Sequence, residues 1–158
     1  MKSIFSIILI LIISNPAIAG LIKNAKVIRV LDGDTIDIIA DKKYRIRFAD
    51  IDAPEKAQNF GMEAQRFLSQ KIQGAIVNVT VKTSDKYGRF IGVVYLGEEN
   101  INRLMVDNGA AWVYRAYCKD EILYSLEMNA RMQKKGLWSN NLAQPPWKYR
   151  LSHSAYSN

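Results

Sequence analysis

Three short runs in this chain carry the parts of a phosphoryl-transfer site. They are Asp32-Gly33-Asp34-Thr35, then Arg47 followed by Asp52-Ala53-Pro54-Glu55, then Asp85-Lys86-Tyr87-Gly88-Arg89. Carboxylates gathered at a strand start can hold a hard cation through oxygen ligands. A carboxylate kept off the cation can take a proton from an attacking water. Guanidinium forks match phosphate oxygens in pairs and stay charged at any working pH. A phosphodiester attacked by water gains negative charge, and a cation with two arginines would supply positive charge where it develops. Each run also has an ordinary explanation. Asp-Gly is a favoured hairpin turn, Asp52 and Glu55 could be acids on a solvated loop, and either arginine could be a surface residue. The turn accounts for Asp32 or Gly33, but not for Asp34 and Thr35 beside them.

The elements that must position these runs are strands first and helices later. Lys26 to Leu31 is apolar-rich and ends at a turn. Thr35 to Ala40 alternates, with Ile36, Ile38 and Ala40 on one face. Lys42 to Phe48 alternates again, so Tyr44, Ile46 and Phe48 share a face and Arg45 and Arg47 share the other. Asp32-Gly33 and Asp41-Lys42 read as the turns between them. Pro54 keeps Ala53 out of helical geometry, which fixes the directions of Asp52 and Glu55. Helical spacing runs from Gly61 to Gln73, with Asn59 as the expected cap and Gly74 as the stop. Two further strands, Ala75 to Thr83 and Arg89 to Leu96, flank the Tyr87-Gly88 loop. A short helix follows Asn100 and stops at Gly109, Trp112 to Tyr114 is extended, and the longest helix is expected over Glu121 to Lys135. Trp112 and Trp138 read as packing residues. This order makes an α+β chain, mainly β, whose small antiparallel sheet would close into a barrel to hide its edges.

The N-terminus reads as a targeting segment. Lys2 precedes an apolar run from Ile4 to Ile13, Pro16 breaks it, and Ala17-Ile18-Ala19 is a small-x-small cleavage site. That run is short of the roughly 20 residues that span a bilayer. Residues 1–19 are therefore expected to be a signal peptide, 20–140 one folded domain, and 141–158 a loosely packed tail. Export to the periplasm or the medium follows, with no stable membrane anchor after cleavage. The net charge of +7, or +6 without Lys2, favours polyanionic partners. Cys118 is the only cysteine and His153 the only histidine. A disulfide within the chain, a zinc site of the usual composition and a histidine-based mechanism are thereby excluded.

Taken in this order, from about Lys26 to Trp138, the three runs resemble the staphylococcal nuclease (thermonuclease) family. The resemblance implies an OB-type five-stranded antiparallel barrel with about three flanking helices. It implies a Ca2+-dependent, sugar-nonspecific endonuclease that cleaves the 5′ P–O bond of single- and double-stranded DNA and RNA and leaves 3′-phosphate ends. A monomer is expected. By the same resemblance Asp34, Asp52 and the backbone carbonyl of Ala53 hold the calcium, with Asp32 and Thr35 in support. Glu55 is the general base, and Arg47 and Arg89 stabilise the transition state. Register against Asp-Ala-Pro-Glu selects Arg47 over Arg45. Lys86, Tyr87 and Tyr117 match positions that contact the substrate. The chain departs from the pattern where Arg115 replaces a second tyrosine, and where the Glu55–Gly61 loop lacks a lysine-rich stretch. A noncatalytic OB-type binder of single strands or other polyanions is the alternative, but it has no need of Asp34, Asp52 and Glu55 together, which repel phosphate.

Overall fold

The computed structural model describes residues 20–154, so the expected signal peptide lies outside the described residues. Eight strands and four α-helices follow in chain order. They are β1 Gly20–Val30, β2 Thr35–Ile39, β3 Lys43–Phe48, β4 Ile51–Asp52, α1 Gly61–Ile72, β5 Ile76–Ser84, β6 Phe90–Leu96, β7 Glu99–Asn100, α2 Ile101–Asp107, β8 Trp112–Val113, α3 Glu121–Met132 and α4 Pro146–Ser154. A single 3-10 turn, Gly136–Ser139, lies between α3 and α4.

Strand order β3-β2-β1-β5-β6 closes into the expected five-stranded barrel through a β3–β6 pairing. That closing pair is parallel, with Ile46 opposite Phe90 and Arg47 opposite Ile91, while the other barrel pairs are antiparallel. The expected OB-type barrel is thus present, with this one parallel seam among antiparallel pairs. The chain reaches β6 from β3 by way of α1 and β5, and a crossover of that length permits parallel closure. The seam also brings the start of β6, and Arg89 just before it, to the β3 strand that carries Arg47.

Alternation along the strands fills the barrel as the sequence implies. Val27, Ile36, Ile38, Ile46, Phe48, Val77, Val79 and Val94 are all at or below 1% exposure. Each such side chain contributes about 1.5–3 kcal/mol by leaving water. The helix α1 seals one end with Ala64, Leu68 and Ile72, which recur every four residues on its inner face. Its cap is not the expected Asn59. Phe60 takes that place with φ +69° and no side-chain bond, because the chain must bend there to bring Gly61 against the Glu55 carbonyl. Asn100 does cap α2, accepting from the Arg103 amide. The helix α3 ends at Met132, no longer than α1, and Gly136 follows in the left-handed region.

Outside the barrel, β4 pairs with β8, setting Asp52 opposite Trp112. The carboxylate of Glu127, 1% exposed, accepts from the Val113 amide at 3.0 Å and pairs with Arg115 and Arg131. This fixes β8, and through it β4, to α3. The tail expected to be loose instead forms α4. Pro146 suits the first helical position, where no N–H is needed, and Trp147 packs on Trp112 at 5.8 Å and on Tyr114 at 5.6 Å. Four helices therefore flank the barrel rather than about three. Trp112 and Trp138 pack edge to face at 4.3 Å, as their packing role requires.

On the β2–β3 surface Arg45 is committed elsewhere. Its Nε donates to Asp37 at 2.8 Å, and Lys43 pairs with the same fully buried carboxylate at 3.0 Å. The Arg45 hydrogen bond, with Lys43 adding, outweighs burial and holds the Asp37 carboxyl below its ordinary 3.8. A depressed carboxyl stabilises the fold above its unfolded value and loses that contribution as pH falls through the folded one. Asp37→Asn is expected to cost about 1.5–3 kcal/mol at pH 7, the worth of charge-assisted hydrogen bonds. The difference from wild type should shrink below pH 4, which urea unfolding at both pH values would measure.

Candidate active site

A cleft of about 1120 Å³ opens where the β2 start, the β4 loop, the β5–β6 hairpin and the segment after β8 meet. Every residue expected at the site lines it: Asp32, Asp34, Thr35, Arg47, Asp52, Ala53, Glu55, Lys86, Tyr87, Arg89 and Tyr117. Residues as far apart in the chain as Asp32 and Tyr117 are thus gathered around one cleft.

The turn before β2 is built for this cleft and not for a tight hairpin. The Asp32 carboxylate accepts from the Asp34 amide at 3.0 Å, which bends the chain. Gly33 is not in the left-handed region. A side chain there would meet the Ala53 Cβ at 2.6 Å and the Ala64 Cβ at 3.0 Å. Its hydrogen therefore allows the Asp34 turn to pack against the Asp52-Ala53 segment.

Asp34 is 5% exposed and Asp52 is 1% exposed. The Asp34 carboxylate accepts from the Thr35 hydroxyl at 3.1 Å and from the Ala53 amide at 2.5 Å. Arg47 stands between the two acids, with Nε 3.2 Å from Asp34 and Nη2 2.9 Å from Asp52. Burial pushes the Asp34 carboxyl up to about 7, against the opposing charge of Arg47, and Asp32 and Asp52 add to the rise. At Asp34, burial thus outweighs the nearby guanidinium. Oxygen donors in such a place fit a hard divalent cation. Among the described residues no three acid, histidine or cysteine side chains close on one point. Such an ion would rest on these two carboxylates, a backbone carbonyl and water.

The two site arginines are not equivalent. Besides its contacts to Asp34 and Asp52, Arg47 donates through Nη1 to the carbonyls of Phe48 at 2.8 Å and Ile51 at 2.9 Å. Only one N–H of Nη2 is left to turn toward a ligand. Arg89 binds Asp85 through Nε at 2.7 Å, and among the described residues both Nη groups remain available. The Asp85 carboxylate also accepts from the amides of Tyr87 and Arg89, and Gly88 takes φ +77° to close the loop. Partial burial opposes ionisation of Asp85, but Arg89 and these amides hold its carboxyl below the ordinary value. The hairpin thus aims a guanidinium fork into the cleft.

Glu55 sits at the rim with its side chain 41% exposed. Its amide donates to the Gln58 side chain at 3.1 Å and its carbonyl accepts from the Gln58 amide at 2.8 Å. A Cβ on Gly61 would lie 1.9 Å from that carbonyl. Gln58 and Gly61 therefore fix the Glu55 backbone, although neither is a site residue by type. Lys86, Tyr87 and Tyr117 are on the exposed edge, with Tyr87 and Tyr117 at 74% and 71% exposure. Arg115 points elsewhere, pairing with Glu127 and lying over the Tyr124 ring.

Sequence reasoning missed Arg150. Its Nη2 donates to Asp52 Oδ2 at 2.8 Å, and its Nη1 donates to Asp52 Oδ1 at 3.2 Å and to Glu55 Oε1 at 2.7 Å. Asp52 and then Glu55 raise its pKa above the ordinary arginine value. The signal was present in Pro146-Trp147 followed three positions later by Arg150, a helix start with an aromatic anchor and a charge on one face.

Comparisons with known proteins give the chain its family. The family described as staphylococcal nuclease homologue matches residues 45–140. A micrococcal nuclease of Shigella flexneri is 44% identical, over 94% of this chain and 91% of its own length. An uncharacterized endonuclease of Escherichia coli O157:H7 is 45% identical, over 80% of this chain and 84% of its own. Protein ParB of Escherichia coli is 40% identical, over 89% and 85%.

Proposed function

This chain belongs to the staphylococcal nuclease family and hydrolyses phosphodiester bonds, and on that premise we propose that it is an exported, calcium-dependent endonuclease acting on DNA and RNA without regard to the sugar. Its products are oligonucleotides with 3′-phosphate ends. The observation behind this reading is the meeting in one cleft of two buried acids, the arginine between them, a rim carboxylate and a second arginine with a free fork.

Asp34, Asp52 and the Ala53 carbonyl are the groups that would hold the ion. When bound, calcium supplies positive charge to the phosphate oxygens and to the water beside them. Glu55, exposed to the cleft, takes a proton from the attacking water. Arg89 binds two phosphate oxygens through its Nη groups and draws closer to them as negative charge grows. Arg47 keeps Asp34 and Asp52 in place and offers its remaining N–H. Lys86, Tyr87 and Tyr117 guide the strand at the cleft edge, where aromatic faces stack on bases without choosing among them. Export rests on the signal-like pattern of residues 1–19, with the working protein starting at Gly20.

The purified 20–158 chain, given denatured DNA or RNA with millimolar calcium and then with chelator, tests this directly. Calcium-dependent breakdown to short 3′-phosphate oligonucleotides is the expected result. Cleavage that persists in chelator, or products with 5′-phosphates, would overturn the cation and the bond assigned here.

A further inference from the structure

The cleft contains a third arginine that neither the three sequence runs nor the proposed chemistry uses. Arg150 reaches it from α4 and covers both carboxylate oxygens of Asp52, together with one of Glu55. Asp52 Oδ1 also accepts from Arg47, so each oxygen of this buried acid is already met by a guanidinium N–H. A divalent cation sits about 2.3–2.6 Å from a carboxylate oxygen. An ion there would place its charge directly against the Arg150 fork.

The two guanidinium groups on Asp52 differ in how readily they leave. The Arg47 side chain is 14% exposed and tied to two backbone carbonyls. Arg150 is 45% exposed and, among the described residues, its guanidinium binds the two acids and no backbone carbonyl, so it can withdraw into cleft water at little desolvation cost. Its helix need not leave with it. Trp147 stays seated on Trp112 and Tyr114, and the Gln144 carbonyl accepts from Gln58 at 2.5 Å. Asp34, Asp52 and Glu55 set three carboxyl groups against the single guanidinium of Arg47, and those of Asp34 and Asp52 are buried, where an acid without a partner is costly. A cation supplied by the chain itself relieves that imbalance.

We infer that Arg150 is the site's own place-holder for the cation: its guanidinium occupies Asp52 and steadies Glu55, and it competes with a divalent ion for the same carboxylate. The inference rests on the reading that Asp34 and Asp52 hold calcium. Where the Arg150-bound form prevails, the apparent affinity for the ion falls by the fraction of molecules with Asp52 open.

Calcium titration of the 20–158 chain by isothermal calorimetry, without nucleic acid, tests the competition. Arg150→Ala is expected to bind calcium about tenfold more tightly than wild type, the effect of opening a site that is closed in about nine molecules of ten. Arg150→Lys, which keeps a charge but loses the fork, should fall between them. Unchanged affinity in Arg150→Ala would overturn the inference while leaving the calcium site intact, and weaker binding would overturn it by making Arg150 a support of the ion. If neither protein binds calcium while both are folded by circular dichroism, the calcium reading itself fails and this inference with it.

Discussion

Glu55→Gln should lower turnover by about 10²- to 10⁴-fold, the range for loss of a general base, while retention of DNA in a gel with calcium persists. The amide keeps the shape of the side chain and can still accept from Arg150, but it cannot take a proton. The backbone of residue 55 is fixed by Gln58 and by the close approach of Gly61, so the substitution leaves the rim in place. Single-turnover rates with saturating enzyme separate the step from binding. Turnover within a few-fold of wild type would remove Glu55 as the base and pass the role to solvent.

The second large effect separates the two family arginines. Arg89→Ala is expected to lose about 10²- to 10³-fold in kcat, the cost of one group that stabilises developing charge. Arg89→Lys should recover little of it, because a point charge lacks the two parallel donors of the fork. Neither change should affect folding greatly, since among the described residues the Arg89 side chain meets Asp85 and the Tyr87 ring, both on its own hairpin. Arg47→Ala should abolish activity and also cost about 3–5 kcal/mol of stability, the penalty for leaving buried charge without its partner. It would strip Asp34 of its guanidinium and take a donor from two carbonyls, while Asp52 keeps only Arg150 among the described residues. Denaturant unfolding beside kinetics resolves the two cases. Equal stability loss at both positions would contradict the division of labour between them.

Much of this was legible before any coordinates. Alternation of Ile36, Ile38, Ile46 and Phe48 marks the barrel interior because a strand has a period of two. The acids and arginines stand out because their spacing exceeds what turns require. The rest depends on contacts made through space. Nothing local tells that Gly33 is glycine because Ala53 lies against it, or that Arg45 belongs to Asp37 while its neighbour Arg47 belongs to the cleft. Phe60 displaces the expected Asn59 cap because the approach to Glu55 dictates the backbone there. The tail reads as loose because its Asn, Pro and Ser residues carry no strong period. Its order comes from one tryptophan seat and one guanidinium.

The β3–β6 seam has a bearing on biosynthesis. Arg47 and Arg89 come to one cleft only when strands more than forty positions apart close in parallel, and Asp52 pairs in its ladder with the distant Trp112. Such distant pairings form late and slowly. Until then the acids, the base and the forks lie on separate stretches of chain and cannot act on a phosphate together. A lone, buried Cys118 means that completion needs no oxidant. The cleft with all its groups therefore appears only with the finished barrel.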